Sequence, residues 1–435
     1  MRTHCDIVVI GAGAAGLMAA ISARRANPSA HVIALDGARK LGAKILIAGG
    51  GRCNVTHHHV DENAFAGSSR PAIRKVLGRF DVARTIAFFE EIGVTLKREE
   101  TGKLFPTTDD AHTVLAALLA EARRLGVAIK HPRRVVAIEH AQGGFEVHSE
   151  ETGPVASPPR VRGRGGPDSA PPISSQTFIA SRVVIATGGK SIPKSGSDGF
   201  GYELVTSLGH SITPLVTPGL VPLTLPRDHF LCALAGVTLD ATIELQSSTG
   251  KRIVSFTNST LLTHFGLSGP SVLDISRYYL QALAAGENVA LHVNWLPTTD
   301  EDAMDRDLQA LKTKSVGGLL RERLPERLAR ALCEHAGVDP ATRGDALKRD
   351  QRRAVAAAVC NLPLPVTGSR GYNFAEVTAG GVLLSEIRLE TMESRVCPGL
   401  YLCGEICDVD GRIGGFNFQW AWSSGFVAGT SAAKA

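Results

Sequence analysis

A glycine-rich turn close to the N-terminus constrains this chain more than any other feature. Asp6-Ile7-Val8-Val9-Ile10 is a short β-branched run with the texture of a buried strand, and His31-Val32-Ile33-Ala34-Leu35 is a second, ending at Asp36. Between them, Gly11-Ala12-Gly13-Ala14-Ala15-Gly16 opens an alanine-rich helix over 17–25. Strand, helix and strand in this order call for a parallel sheet. The spacing is G-x-G-x-x-G: the first glycine permits the tight turn and the second lets backbone approach a pyrophosphate. The third lets helix pack on strand, while the helix N-terminus offers N–H donors to phosphate. Asp36 stands about twenty residues beyond Gly16, where a carboxylate meets the ribose hydroxyls. The turn predicts an α/β fold holding a dinucleotide.

Forty-six of 435 residues are glycine, above the roughly 7% of an average chain, and much of the excess falls at other strand ends. Thr187-Gly188-Gly189 follows a buried strand at 182–186, where an open parallel sheet exposes its ligand crevice. Leu400-Tyr401-Leu402-Cys403 delivers Gly404-Glu405; Gly411 and Gly414-Gly415 then bring backbone to a helix starting near 418. A helix N-terminus there suits a ligand that gains negative charge.

Composition removes several classes. With 44% hydrophobic and 20% charged residues the chain is globular rather than disordered, and it has no apolar run long enough for a membrane span. The net charge of +5 is spread out. The densest basic stretch, 321–353, is interleaved with Glu322, Glu326, Glu334, Asp345 and Asp350, which argues against a nucleic-acid face. Eight cysteines are too sparse for a disulfide framework. The N-terminus enters a strand at once, leaving no room for a leader, so the cytoplasm is the expected compartment.

Further along, helices are expected at 84–92 and 112–125. Strands at 135–139, 144–149 and 177–180 form a small meander, and the Pro-, Gly- and Ser-rich insert at 151–176 is its loose hairpin tip. From 213 to 297 alternating and β-branched residues suggest an all-β domain. Residues 298–359 look helical, broken at Pro325 and Pro340, and strand character returns at 381–384 and 400–403. The expected division is 1–205 and 360–435 as two parts of one α/β dinucleotide domain. A β-rich segment at 206–297 and a helical one at 298–359 are inserted between them.

Four strings now carry a resemblance: the first strand-turn-helix, Gly49-Gly50-Gly51-Arg52-Cys53-Asn54, Thr263-His264-Phe265-Gly266-Leu267-Ser268-Gly269-Pro270, and Gly414-Gly415-Phe416-Asn417-Phe418-Gln419-Trp420-Ala421-Trp422. From about residue 6 to 429 the chain resembles the HI0933/YhiN-like flavoproteins, often labelled NAD(P)/FAD-dependent or aminoacetone-oxidase-family oxidoreductases. The insert at 151–176 departs from that family's compact pattern, and Asp36 stands where many FAD proteins have glutamate. The resemblance implies non-covalent FAD in a glutathione-reductase-like Rossmann domain, with an inserted β-barrel-like domain and a helical domain. It implies Gly11, Gly13, Ala14, Ala15 and Gly16 at the pyrophosphate, and Asp36 with Gly37 at the adenosine ribose. Lys44, Arg52, Cys53 and Asn54 would run along the pyrophosphate, ribityl chain and ring. Val135 would meet adenine, Thr187 and Gly188 would flank the dinucleotide, and Glu405 would reach the ribityl or pyrophosphate region. Asp408, Gly415, Phe416 and Asn417 would lie towards the ring.

Bound FAD would perform the redox step. The chain has no second G-x-G-x-x-G, so NAD(P)H, as electron donor, is expected to dock only transiently. Cys53 lacks the second thiol of a disulfide reductase, and Cys403 and Cys407 flank the expected ribityl carboxylate; all three are expected as buried small side chains. His57-His58-His59 points its rings different ways with no completing ligands, so a solvated loop and no metal are expected. Gly266-Leu267-Ser268-Gly269-Pro270 fails as a nucleophile elbow because proline stands where G-x-S-x-G needs glycine. A proton must accompany hydride transfer to a carbonyl or enone, and His264 is the acid–base candidate. The function expected is an oxidoreductase passing hydride between NAD(P)H and a small organic substrate. An RNA-modifying flavoprotein and a flavin-binding redox sensor without turnover are the alternatives.

Overall fold

The computed structural model describes residues 2–141, 143–152 and 174–435. Its contacts gather into two units, Met1–Pro214 with Val377–Ala435, and Leu215–Glu376. The changes of unit therefore fall after residues 214 and 376, later than the expected 205 and 359.

In the first unit, strand Arg2–Ile10 lies parallel between Val32–Leu35 and Ser175–Ile185, Val8 standing level with Ile33 on one side and Val183 on the other. Leu400–Leu402 extends the sheet beyond Ser175–Ile185, and Ala128–Lys130 extends it beyond Val32–Leu35, both parallel. Ile7 to Ile10, Val183 to Ile185 and Leu400 to Leu402 are all buried, which is why these strands read as unbroken apolar runs.

One expectation needs correcting. The strands at 177–180 and 182–186 are a single strand, Ser175–Ile185. Its first half pairs antiparallel with Gly144–Glu151; its second half exchanges that partner for Leu400–Leu402. The change from alternating to continuous apolar residues at Ser181 marks a change of neighbour, not a chain break. The insert at 151–176 lies, apart from its ends, outside the described residues.

Helix Ala14–Ala26 is covered by the C-terminal helix Phe416–Ala432. A Cβ on Gly425 would stand 2.5 Å from the Ala15 carbonyl oxygen, and one on Gly429 2.0 Å from that of Ala19. Four residues apart, these glycines share one helix face and let the two backbones touch. Trp420 and Trp422 are buried beneath, their indole N–H groups donating to Gly404 O (3.1 Å) and Val55 O (2.8 Å).

The second unit is a seven-stranded antiparallel sheet running Leu362–Leu364, Val289–Asn294, Thr238–Ser247, Arg252–Thr263, Gly266–Ser268, Leu223–Thr224, Gly368–Ser369. The two outermost strands are not paired with each other, so the sheet is open rather than a closed barrel. Both come after the helical segment in sequence, which places the helices within this unit. A single core joins Leu245 and Trp295 of the sheet region to Met304, Leu328 and Val355 of the helices. The expectation of an all-β stretch over 213–297 fails at Pro270–Ala284, a 15-residue helix. Val272 and Ile275 gave the stretch its β-branched texture, but with Tyr279 and Ala282 they recur every three to four residues and form one buried face. Among the described residues, no helix is long and apolar enough to cross a membrane.

Candidate dinucleotide site in the first unit

At the end of the first strand Gly11 takes φ +94°, and its N–H donates to Leu35 O at 2.8 Å. A Cβ there would fall 2.4 Å from Ala186 O, and one on Gly16 only 1.8 Å from Gly11 O. A Cβ on Gly13 would meet nothing within 4 Å. The outer glycines are thus demanded by the protein's own packing, and the middle one borders open space. Gly13 caps helix Ala14–Ala26 without a side-chain hydrogen bond and no acidic residue follows in the first turn, so the helix end presents its N–H groups to that space.

Asp36 does more than the sequence suggested. Its Oδ2 accepts the Ala12 N–H (2.7 Å) and its Oδ1 that of Ala38 (2.8 Å), bracing the turn while each oxygen keeps a lone pair for a hydroxyl. Gly37 is needed for packing, since a Cβ would fall 2.7 Å from that of Arg134. Val135 is buried, paired with Ser149 beside a register shift in the ladder.

The Gly-Gly-Gly-Arg-Cys-Asn string ends a helix. Ala43–Gly51 loses helical geometry at Ala48, and Gly49, Gly50 and Gly51 take φ +58°, +69° and +86°. Cys53 follows at φ +61°, fully buried, and burial pushes its thiol up to about 12. A thiol so held stays protonated at neutral pH. Cys403 and Cys407 are pushed up by burial as well. Asn54 is buried and its Oδ1 has no hydrogen-bond partner, a costly state unless a ligand donor completes it. Arg52 is held elsewhere: its Nη1 lies 2.6 Å from Glu99 and its guanidinium sits over the Phe105 ring at 4.0 Å.

Glu405 stands in a polar network. Its Oε2 accepts from Lys44 Nζ (2.8 Å); its Oε1 accepts from Ser191 Oγ (2.8 Å) and the Thr378 N–H (2.9 Å). Lys44 also reaches Ser191 Oγ at 2.7 Å, and Thr378 Oγ1 accepts the Lys190 and Ser191 N–H groups. Gly189 fits only because it lacks a Cβ, which would fall 2.4 Å from Thr378 Oγ1. Thr187 packs against Gly201 and Gly188 against Ser197. Ser191 and Thr378 were not singled out from sequence; neither lies in a motif, and only the fold brings them to Glu405.

At the C-terminal turn Gly415 takes φ +95° and caps Phe416–Ala432 without a side-chain hydrogen bond. A Cβ on Gly415 would collide with Thr56 backbone at 2.6 Å. Asn417 clasps this turn, accepting from Gly411 N (2.8 Å) and donating to Gly411 O (2.9 Å), with one N–H and one lone pair of its amide to spare. Asp408 is buried with its backbone N–H on Val382 O, and a Cβ on Gly67 would fall 2.5 Å from its carbonyl oxygen and 2.7 Å from its Oδ1. Gln419, buried, accepts from Thr56 Oγ1 (2.7 Å) and donates to Phe80 O (2.9 Å), tying the helix to two other segments.

The histidine run divides. His58 and His59 are exposed, as a solvated loop requires, but His57 is half-buried and stacked on Phe416 at 5.0 Å between centroids. Its ring nitrogens face the His59 and Thr101 carbonyl oxygens. His264 belongs to the second unit, exposed at the turn between Arg252–Thr263 and Gly266–Ser268, with its ring edge-on to Phe265.

Two helix N-termini without side-chain caps, open space at Gly13, the unpartnered Asn54 Oδ1 and the Lys44–Glu405 pair fit an extended, doubly phosphorylated, hydroxyl-rich ligand such as FAD. Residues 5–431 match the HI0933-like protein Rossmann domain. The chain is 33% identical over 433 residues to a 3-dehydro-bile acid delta(4,6)-reductase of Clostridium scindens, covering 98% of this chain and 99% of that one. It is also 33% identical over 425 residues to the ribosomal RNA dihydrouridine synthase of Escherichia coli, covering 97% and 96%. The Haemophilus influenzae synthase is 31% identical over 438 residues, with both chains covered in full at 100%. The chain belongs to the HI0933-like family of FAD-binding Rossmann oxidoreductases.

Proposed function

We propose that the protein uses FAD to reduce a carbon–carbon double bond conjugated to a carbonyl, with NAD(P)H as the source of hydride. One observation carries this. The two kinds of relative that match nearly the whole chain are named for the same bond change, at a 3-oxo-steroid diene and at the C5–C6 bond of uracil. For this chain, reduction of such an enone would deliver hydride to the far carbon of the conjugated double bond and a proton beside it, with the carbonyl holding charge between. NAD(P)H and one proton are consumed, and NAD(P)⁺ and the saturated carbonyl compound are formed.

When bound, FAD would supply the two-electron carrier linking the two half-reactions. The chain's own residues do the rest. The N-terminus of Ala14–Ala26 and the open face of Gly13 would hold the diphosphate, and Asp36 the ribose. Lys44 and Glu405, locked by Ser191 and Thr378, would fix the ribityl region. The N-terminus of Phe416–Ala432 would offset negative charge by its dipole. His264 is the candidate proton donor, a role worth about a hundredfold or more in rate. The His264→Ala variant should keep its flavin and lose turnover; intact turnover would remove that role.

The test is anaerobic. Oxidised holoprotein is mixed with NADH or NADPH, then with a conjugated enone or with uridine in ribosomal RNA. Bleaching by a nicotinamide, reoxidation by the acceptor and a product two mass units heavier support the proposal. Reoxidation by RNA alone, in a salt-sensitive manner, would make this chain an RNA modifier. The interleaved ion pairs of the 321–353 region, such as Arg321–Glu326, Arg330–Glu334 and Arg352–Asp305, do not favour that outcome. Flavin that no donor or acceptor changes would mark a binding module.

A further inference from the structure

Three arginines of the first unit are stacked on an aromatic ring, and each also holds a carboxylate. Arg25 lies over Phe88 and pairs with Glu91 and Glu121. Arg52 lies over Phe105 and pairs with Glu99. Arg134 lies over Phe200 and pairs with Asp198. In the second unit Arg370 differs. Its guanidinium carbon lies over two rings, 3.8 Å from the centroid of Phe374 and 4.4 Å from that of Phe265. It is half-buried, yet among the described residues no carboxylate pairs with it and no acceptor takes its side-chain N–H groups.

The surroundings hold this arrangement in place. Phe265 is at the tip of the tight turn after Arg252–Thr263, its carbonyl accepting from Leu225 N and the turn closed by Thr263 Oγ1 on Gly266 O (2.9 Å). Gly266 takes φ +140°, where a Cβ would fall 2.4 Å from Leu223 O. Opposite, Arg370 N donates to Pro222 O, and the hydroxyl of Tyr372 donates to Val216 O at 2.9 Å. Phe374, 50% exposed, is one of the few large apolar side chains left open to solvent. The two rings take up contact with the guanidinium carbon, and its N–H fork, which matches an oxyanion, has no acceptor among the described residues. Partial burial against two rings strips water from the cation, which strengthens any anion contact made there.

We infer that Arg370, held against Phe265 and Phe374, is an oxyanion-binding site of the second unit for ligands bearing a carboxylate or phosphate beside an apolar body. Phe265, within the Thr263–Pro270 string, carries Arg370 over its ring, and the His264 ring stands perpendicular to it. The inference rests on the reductase proposal only for the identity of the substrate; binding is measured without turnover.

The experiment is calorimetric titration of the FAD-loaded protein with benzoate, uridine 5′-monophosphate and neutral cyclohexenone. Wild type should bind at least one of the two oxyanions. Arg370→Gln should weaken that binding tenfold or more, Arg370→Lys should lie between, and cyclohexenone should not distinguish the three. Benzoate alone would name a small organic acid as the source, and the nucleotide alone a phosphate. Phe374→Ala, which keeps the cation, should weaken binding several-fold, and retained flavin absorbance shows that each variant is folded. Equal binding by Arg370→Gln, or no oxyanion binding by wild type, overturns the inference. Failure of flavin reoxidation by every enone would instead overturn the reductase proposal and leave an oxyanion site standing.

Discussion

The glycine turn allows protein packing and ligand binding to be separated by two substitutions three residues apart. At Gly13 the backbone is extended (φ −78°, ψ −163°), a conformation open to alanine, and the added Cβ would meet no protein atom within 4 Å. Gly13→Ala should therefore cost the apoprotein only the difference between two N-cap residues, about 1 kcal/mol or less. The methyl group would occupy the space through which a diphosphate approaches the helix end. Losing one charge-assisted hydrogen bond there is worth about 1.5–3 kcal/mol, or roughly a ten- to hundredfold rise in the Kd for FAD. At Gly16 the same methyl would stand 1.8 Å from Gly11 O, a backbone atom that cannot step aside. Gly16→Ala should lose about 1–3 kcal/mol or more of apoprotein stability through forced displacement. The assay is thermal unfolding of apoprotein with and without FAD, alongside fluorescence titration of FAD. Wild type saturated at about 100 times Kd should gain about 2.7 kcal/mol, Gly13→Ala should melt like wild type without ligand but gain much less with it, and Gly16→Ala should melt early in both. A Gly13→Ala protein that binds FAD as tightly as wild type would refute the assignment of that open space to the diphosphate.

Other outcomes follow from single contacts. Gly429→Ala should destabilise the protein by about 1–3 kcal/mol, because its Cβ would lie 2.0 Å from Ala19 O; an unchanged denaturation midpoint would contradict the close helix contact. Cys53→Ala should retain flavin and turnover, and native Cys53 should resist alkylation at pH 7, since burial keeps the thiol protonated; lost turnover with flavin still bound would restore a redox role. Glu121, buried, is held below the usual carboxylate range first by its hydrogen bonds from Arg124 and further by Arg25. Its folded-state pKa is depressed, so its stabilisation is present above the unfolded value of about 4.3 and fades as pH falls below it. Glu121→Gln should then destabilise by about 1–2 kcal/mol at pH 7 and by progressively less in acid; a loss that stays constant down to pH 3 would contradict the ion-pair account.

What could be read from residues alone was whatever is encoded locally. Gly11, Gly13, Gly16 and Asp36 lie within one strand-helix-strand unit, so spacing was enough to place them. Glu405 was legible for the same reason, as the residue just past a buried strand. Two of its partners were not: Ser191 and Thr378 meet it from distant segments, and a lone serine or threonine has no periodicity to betray it. Helix Pro270–Ala284 was hidden by β-branched residues, whose packing in this unit overrides their strand preference. Asn417 and Gly37 also have work in the fold that their strings did not reveal, one clasping Gly411 and the other making room for Arg134. A motif gives the position of a residue; its use depends on which backbone groups lie opposite. Arg370 carried no signal in its own string, because its distinction, that no carboxylate among the described residues pairs with it, shows only in three dimensions.

The central claim is hydride delivery through bound flavin to a conjugated double bond. It is tested most directly by reducing the FAD-loaded protein anaerobically and mixing it, in a stopped-flow instrument, with a 4-en-3-one steroid, a carboxylate-bearing enone and a uridine-containing RNA. The account predicts that the visible band of oxidised flavin returns at a rate set by one of these acceptors, with a product two mass units heavier. Flavin that stays reduced before all three, or a protein that cannot be loaded with FAD, would contradict it.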